Sequence, residues 1–293
     1  VELGSLLANK IQQLMIFFSL LIPDMTNEEE QLLDEALIQT YADFGITHDN
    51  DSVYEDLSSN PPKMKQMPIL GDLHKHLKEN HMTERIAVIV SRFVTGSAQS
   101  FNMQTNVDLT NKYIVFDLSE LKGKLLPVGM MIALDYIWDS IKTDLTKKKA
   151  VMIDEIWKLV GTSSNRQAAD FCLTIFKTIR GYGGAAISAT QDLSDFFGLE
   201  DGKYGRAIIN NSKNKIILNL EPDEAKYVQD VLKLTQNEVR SITRFERGEA
   251  LIYSNNNKVP VVIKASKAEH EMITTDRAEL EALLFERQQK QNE

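Results

Sequence analysis

The stretch Lys149-Ala150-Val151-Met152-Ile153-Asp154-Glu155 decides the fold. Ala150 to Ile153 is an unbroken apolar run, as in a strand buried on both faces, and it stops on two adjacent acids. In an open α/β sheet the carboxyl ends of the strands face the ligand crevice, so this architecture would deliver Asp154 and Glu155 there. A second run, Ala185-Ala186-Ile187-Ser188-Ala189-Thr190-Gln191, follows after one helix expected over Phe171 to Tyr182. Two neighbouring strands would then aim Asp154, Glu155 and Gln191 at one crevice. A glutamine amide both donates and accepts, so Gln191 suits a phosphate oxygen and a water together. Taken singly these residues are ordinary. An apolar run ending in acids also describes a surface strand end, and Gln191 also reads as a strand-end polar group.

Working outward, Tyr113 to Asp117 and Lys215 to Leu218 read as further strands, with a helix from Leu125 to about Thr143 between the first of these and Ala150. Strands alternating with helices predict an α/β fold with a parallel sheet covered on both faces. Toward the N-terminus, Leu7, Ile11, Leu14, Phe18 and Leu21 fall at helical spacing and Pro23 closes the run. Thr26 with Glu29 forms a capping-box pattern ahead of a second helix, for which Gly45 is the stop. Residues 48–68 read as a loop, and helices are expected over 69–80 and 83–93. Beyond Glu221-Pro222 come two short helices, then strands Ala250 to Tyr253 and Val259 to Ile263 joined by Asn255-Asn256-Asn257, then a charged helix over 275–293. The expected divisions are an all-helical subdomain at 1–82, an α/β core at 83–221, helices with a strand pair at 222–274, and the tail.

With 293 residues, 43% hydrophobic and 26% charged, the chain can bury a sizeable core. Its 33 basic and 42 acidic residues give a formal charge of −9, which argues against coating nucleic acid through the overall field and leaves room for a local basic groove. The single cysteine, Cys172, excludes an intrachain disulfide and suits a reducing cytoplasm. Leu14 to Ile22 is too short to span a bilayer, so membrane association is expected only through a partner. The sequence opens at Val1 with no signal-peptide pattern and reads as part of something longer. His74, His76 and His81 do not share a helical face and give no metal site.

The stretches IDEIWKLV (153–160), FKTIRGYGG (176–184), AISATQDLSDFF (186–197) and GRAIINNSKNKIIL (205–218) together resemble the ATPases of conjugation and type IV secretion systems, the VirB-four class of the HerA and FtsK superfamily. The resemblance extends over NVDLTNKYIVFDLSEL and LTQNEVRSITRFERGEALIYSNNNKVPVVI, and residues 5–80 look like the family's helical insertion. It implies a RecA/HerA-like P-loop core, incomplete at its N-terminal side, that uses ATP and Mg2+. Asp154 would support Mg2+ through water and Glu155 would orient or deprotonate the attacking water, while Gln191 would contact the γ-phosphate. Arg180 or Arg206 would be the finger acting on a neighbouring subunit, although Arg180 also suits a helix C-terminus on dipole grounds alone. The partners implied are a homohexamer, other channel proteins and transient DNA, at the cytoplasmic face of the cell membrane. One departure stands out. No GxxxxGKS or GxxxxGKT loop occurs: Gly123-Lys124 and Gly202-Lys203 are followed by Leu125 and Tyr204. A non-catalytic interaction module and a DNA translocase or helicase of the same superfamily are the alternatives.

Overall fold

Ser5 and Thr26 launch the first two helices. In the computed structural model, which describes residues 4–106, 111–123, 125–143, 145–162, 164–255 and 257–291, α1 (Leu6–Leu21) begins where Ser5 Oγ accepts from the Ala8 N–H at 3.3 Å. The expected capping box opens α2 (Asn27–Asp43): Thr26 Oγ1 accepts from the Glu29 N–H at 3.2 Å, and Glu29 Oε2 accepts from the Thr26 N–H at 2.9 Å. The short antiparallel pair β1 (Tyr54–Asp56) and β2 (Lys63–Met64) precedes α3 (Leu70–Glu79) and α4 (Glu84–Val94). Arg85 of α4 donates to Glu29 at 2.8 Å and so fastens α4 to the start of α2.

These helices share one core with the segments that follow. Next come α5 (Leu125–Thr143), β3 (Lys149–Ile153), α6 (Trp157–Val160), α7 (Arg166–Thr178), β4 (Gly184–Ser188), α8 (Leu193–Phe196) and α9 (Lys203–Asn211). Phe18, Leu33, Leu77 and Ile86 are fully buried in the same cluster as Val128 and Met131 of α5 and Ala168 of α7. Polar ties reinforce it: Lys10 pairs with Asp135 at 3.0 Å, and Asn165 donates to Ser19 Oγ at 2.9 Å.

The chain packs as two units, Val1–Ala207 and Ile208–Glu293, with the division inside α9. The second unit contains β5 (Asn214–Ile217), α10 (Pro222–Leu232), α11 (Gln236–Ile242), β6 (Glu249–Ser254), β7 (Asn257–Val262), α12 (Lys267–Ile273) and α13 (Arg277–Gln291). Its three strands form an antiparallel sheet in the order β5-β6-β7. Among the described residues no helix is long and apolar enough to cross a membrane.

The structure departs from the sequence reading at five points. Residues 48–68, expected as a loop in an all-helical stretch, hold the antiparallel pair of β1 and β2. β5 pairs antiparallel with β6, so the parallel pairing among the described strands is that of β3 with β4 alone. Tyr113 to Asp117 is not a strand, and Tyr113 and Val115 are 83% and 71% exposed. Its strand-forming composition has no described strand to pair with, and an unpaired strand leaves its backbone groups unsatisfied. The β3–β4 pair is covered on one face: Val151 and Ile153 are buried, whereas Met152 and Ile187, register partners on the other face, are 72% and 47% exposed. The helix expected from Phe171 starts at Arg166, because the Asn165 side chain accepts from the Ala168 N–H at 2.9 Å and caps it there. In the hairpin turn, Asn255 has φ 48 and Asn256 lies outside the described residues.

Candidate functional site

Parallel pairing brings two strand ends level. Lys149 lies opposite Gly184 and Ile153 opposite Ser188. The ladder runs on past both strands, with Ala189 N–H donating to the Ile153 carbonyl at 3.0 Å and Ile156 N–H to the Ala189 carbonyl at 3.2 Å. The start of β4 is fixed by glycines. Gly183 turns the chain at φ 72, and a Cβ on Gly184 would sit 2.6 Å from the Ile179 side chain. Asp154 and Glu155 therefore leave the sheet beside Thr190 and Gln191.

Glu155 adopts φ 51, in the left-handed region. A non-glycine residue there costs on the order of 1–3 kcal/mol and persists only where its surroundings hold it. Here they do. The Glu155 N–H donates to Asp154 Oδ1 at 2.9 Å. Gln191 Nε2 donates to Glu155 Oε1, and the Trp157 indole N–H donates to Glu155 Oε2. Lys158 Nζ sits 3.3 Å from the Trp157 ring centroid, a cation–π contact that orients the indole. Beneath, Ile156, Leu159 and Val160 are fully buried and anchor α6. On the other strand, Asp192 caps α8 by accepting from the Asp195 N–H at 2.8 Å, so Gln191 is held between a strand end and a helix cap.

The outcome is a half-exposed carboxylate with one hydrogen bond to each oxygen, beside the exposed carboxylate of Asp154. A carboxylate so held can accept a proton. Among the described residues no group of three or more His, Cys, Asp and Glu could enclose a metal. A cation at Asp154 would have to share its shell with water and phosphate oxygens. That donor set fits Mg2+, which keeps several waters and takes one or two carboxylates, and does not fit zinc.

The arginines are not part of this cluster. Arg180 is exposed in the turn at the amino end of β4, whereas Gln191 follows the carboxyl end. At roughly 3.3 Å per residue, the strand alone separates the two by on the order of 16 Å. Arg206 is exposed on α9, its guanidinium 5.8 Å from the Phe197 ring centroid. Neither makes a hydrogen bond or ion pair to Asp154, Glu155 or Gln191 among the described residues. Trp157 is the contributor that sequence reasoning did not assign a role. Its signal was there, an indole two residues after the second acid, but its use depends on the left-handed turn at Glu155. Cys172 is fully buried, and burial pushes its thiol up to about 12, which rules it out as a nucleophile.

The chain is similar to known proteins in sequence and in fold. Residues 37–292 match the family described as the TraG P-loop domain. Protein TraC of Escherichia coli (strain K12) is 34% identical over 122 residues, 40% of this chain and 14% of that protein. The DNA double-strand break repair helicase HerA of Sulfurisphaera tokodaii is 26% identical over 174 residues, 56% of this chain and 34% of that protein. The chain thus spans about a third or less of the length of these curated relatives. The structure of VirB4 of Thermoanaerobacter pseudethanolicus superposes with a TM-score of 0.80 at 26% identity, covering 91% of this chain and 72% of that one. With 256 consecutive residues matched, the chain belongs to the TraG P-loop domain family.

Proposed function

We propose that Asp154, Glu155 and Gln191 form the carboxylate half of an ATP-hydrolysing site in a motor that powers conjugative DNA transfer or a type IV secretion channel. The observation that carries this reading is Glu155 itself, strained into a left-handed turn at the shared end of two parallel strands and gripped there by Gln191 and Trp157. Glu155 takes a proton from water as the water oxygen bonds to the γ-phosphorus and the bond to ADP breaks, leaving inorganic phosphate. Gln191 holds that water and a γ-phosphate oxygen. Mg2+ held through Asp154 and water would neutralise charge on the phosphate oxygens. The phosphate-cradling loop is supplied by residues outside these 293, and Arg180 or Arg206 supplies a cation to a neighbour's site in a hexamer. Channel proteins, and the membrane through them, are the partners.

Magnesium-dependent phosphate release by the full-length, assembled protein is the test. Turnover is expected, whereas the isolated chain should bind ATP no better than millimolar, about 4 kcal/mol. Micromolar magnesium-dependent binding by the isolated chain would contradict the division of the site. Absence of turnover in a verified oligomer would favour an interaction module. The match to a HerA helicase supports a second reading, a DNA translocase, for which turnover should rise with DNA and fall steeply with salt.

A further inference from the structure

Two short helices carry the chain away from the two strand ends. α6 follows Glu155 and stops at Gly161, whose N–H donates to the Trp157 carbonyl at 2.8 Å. α8 follows Gln191 and takes Asp192 as its cap. On the sheet side the two paths are tied by the ladder bonds between Ile153, Ala189 and Ile156. Beyond the site they meet a second time, at Asp195.

Asp195 Oδ1 accepts from the Thr162 N–H at 3.2 Å, so the residue after the end of α6 is bonded to the first turn of α8. Beside that bond the two backbones leave no room for a side chain. A Cβ on Gly161 would lie 2.5 Å from both the Asp195 carbonyl oxygen and its Oδ2, and one on Gly198 would overlap the Thr162 methyl. A carbonyl oxygen cannot swing aside as a side chain can, so any larger residue at 161 must move α8. The contact leads back to Gln191 in two steps. The Asp195 N–H donates to Asp192 Oδ1 at 2.8 Å, and the Asp192 carbonyl accepts from Thr190 Oγ1 at 3.4 Å, which brackets Gln191 on both sides. Buried Leu193 and Phe196 anchor α8 underneath, so it shifts as one piece.

Glu155 and Gln191 are therefore linked by a closed ring of contacts, through their own hydrogen bond at the site and through Gly161, Thr162 and Asp195 behind it. We propose that Asp195, seated against Gly161, is a positioning residue that holds α8 to α6 and thereby sets the Gln191 amide against the Glu155 carboxylate. This rests on the hydrolytic reading of Glu155 and Gln191 and adds a residue on which that site depends. Asp195 acts through α8, and a misplacement of about 1 Å at reacting groups is enough to slow chemistry by up to about a hundredfold.

The test is phosphate release and ATP affinity in the full-length, assembled protein. Asp195→Ala should lower turnover about tenfold and leave ATP affinity within about twofold of the parent. Asp195→Asn keeps an acceptor for the Thr162 N–H and should hold turnover within about twofold of the parent. In a Gln191→Ala background, adding Asp195→Ala should cost less than about twofold more, because a residue that works through Gln191 has nothing left to position. Gly161→Ala, with Asp195 intact, should also lower turnover about tenfold, and it decides the question if Asp195→Ala fails to fold. The proposal is overturned if the folded Asp195→Ala or Gly161→Ala protein turns over as the parent does. Asparagine as defective as alanine would overturn it too, as would an equal loss with and without Gln191, the mark of general damage. Parental turnover by Gln191→Ala alone is a different failure: it would remove the hydrolytic role of Gln191 and the positioning role with it.

Discussion

Gln191 and Trp157 each hold one oxygen of the Glu155 carboxylate, so removing either separates positioning from nucleotide binding. Gln191→Ala in the full-length protein should lower turnover by about a hundredfold with little loss of ATP affinity, since the proposed contact to water would form fully only in the transition state. Trp157→Phe keeps a ring for Lys158 and removes one donor; a fall in turnover of about tenfold is expected, the scale of one hydrogen bond to a charged group. Steady-state kinetics with a binding titration reads both. Loss of affinity with unchanged turnover would move either residue to a binding role. That Asp154, Glu155 and Gln191 meet at neighbouring strand ends was legible because a buried apolar run and the carboxyl-end rule need only residue order. Trp157 was not, because its donation follows from a backbone dihedral at Glu155 that no residue pattern encodes. Arg180 lies at the amino end of β4, which begins only at Gly184, so within one chain it does not meet Gln191, and a role in a neighbour's site is the one left to test.

Among the elements, local signals were read more faithfully than pairing. The capping box at Thr26 and Glu29 is present with both reciprocal bonds, and Thr26→Ala should cost about 1 kcal/mol in chemical denaturation. An unchanged denaturation midpoint would remove that role. The segment from Tyr113 to Asp117 shows the converse. Its composition favours a strand, but a strand also needs a partner, and composition cannot supply one. The contact between α1 and α5 gives a pH-dependent prediction. Burial raises the Asp135 carboxyl above the usual range, opposed by the Lys10 ammonium at 3.0 Å, with Asp139 raising it further and Lys142 lowering it. A carboxyl whose folded value is raised costs stability while ionised, and that cost disappears as the pH falls through the folded value. Lys10→Met should therefore destabilise by about 2 kcal/mol near neutrality, less than for a fully buried pair because Lys10 is partly exposed. The difference should shrink at acidic pH, as Asp135 takes up its proton. An equal difference at both pH values would show that Lys10 acts through packing alone.

Across the whole molecule, the first unit carries the acids and the glutamine while the second carries the antiparallel sheet. The fold class was legible from the alternation of strands and helices. The assignment of β5 to an antiparallel sheet was not, because a four-residue apolar strand reads the same in either sense. At this scale the two exposed arginines become testable. Mixing full-length Arg180→Ala or Arg206→Ala subunits with Glu155→Gln subunits should restore some turnover from two inactive proteins, if an intact arginine faces an intact Glu155 across an interface. Normal turnover by both single arginine variants in verified oligomers would leave neither as the finger. The most direct test of the account is Glu155→Gln in the full-length protein, with ATP affinity and phosphate release measured on the same sample. The amide keeps the shape but cannot take the proton, so the affinity should stay within about twofold of the parent while turnover falls by at least about a hundredfold. Retention of most of the parental turnover would contradict the assignment of Glu155 as the general base.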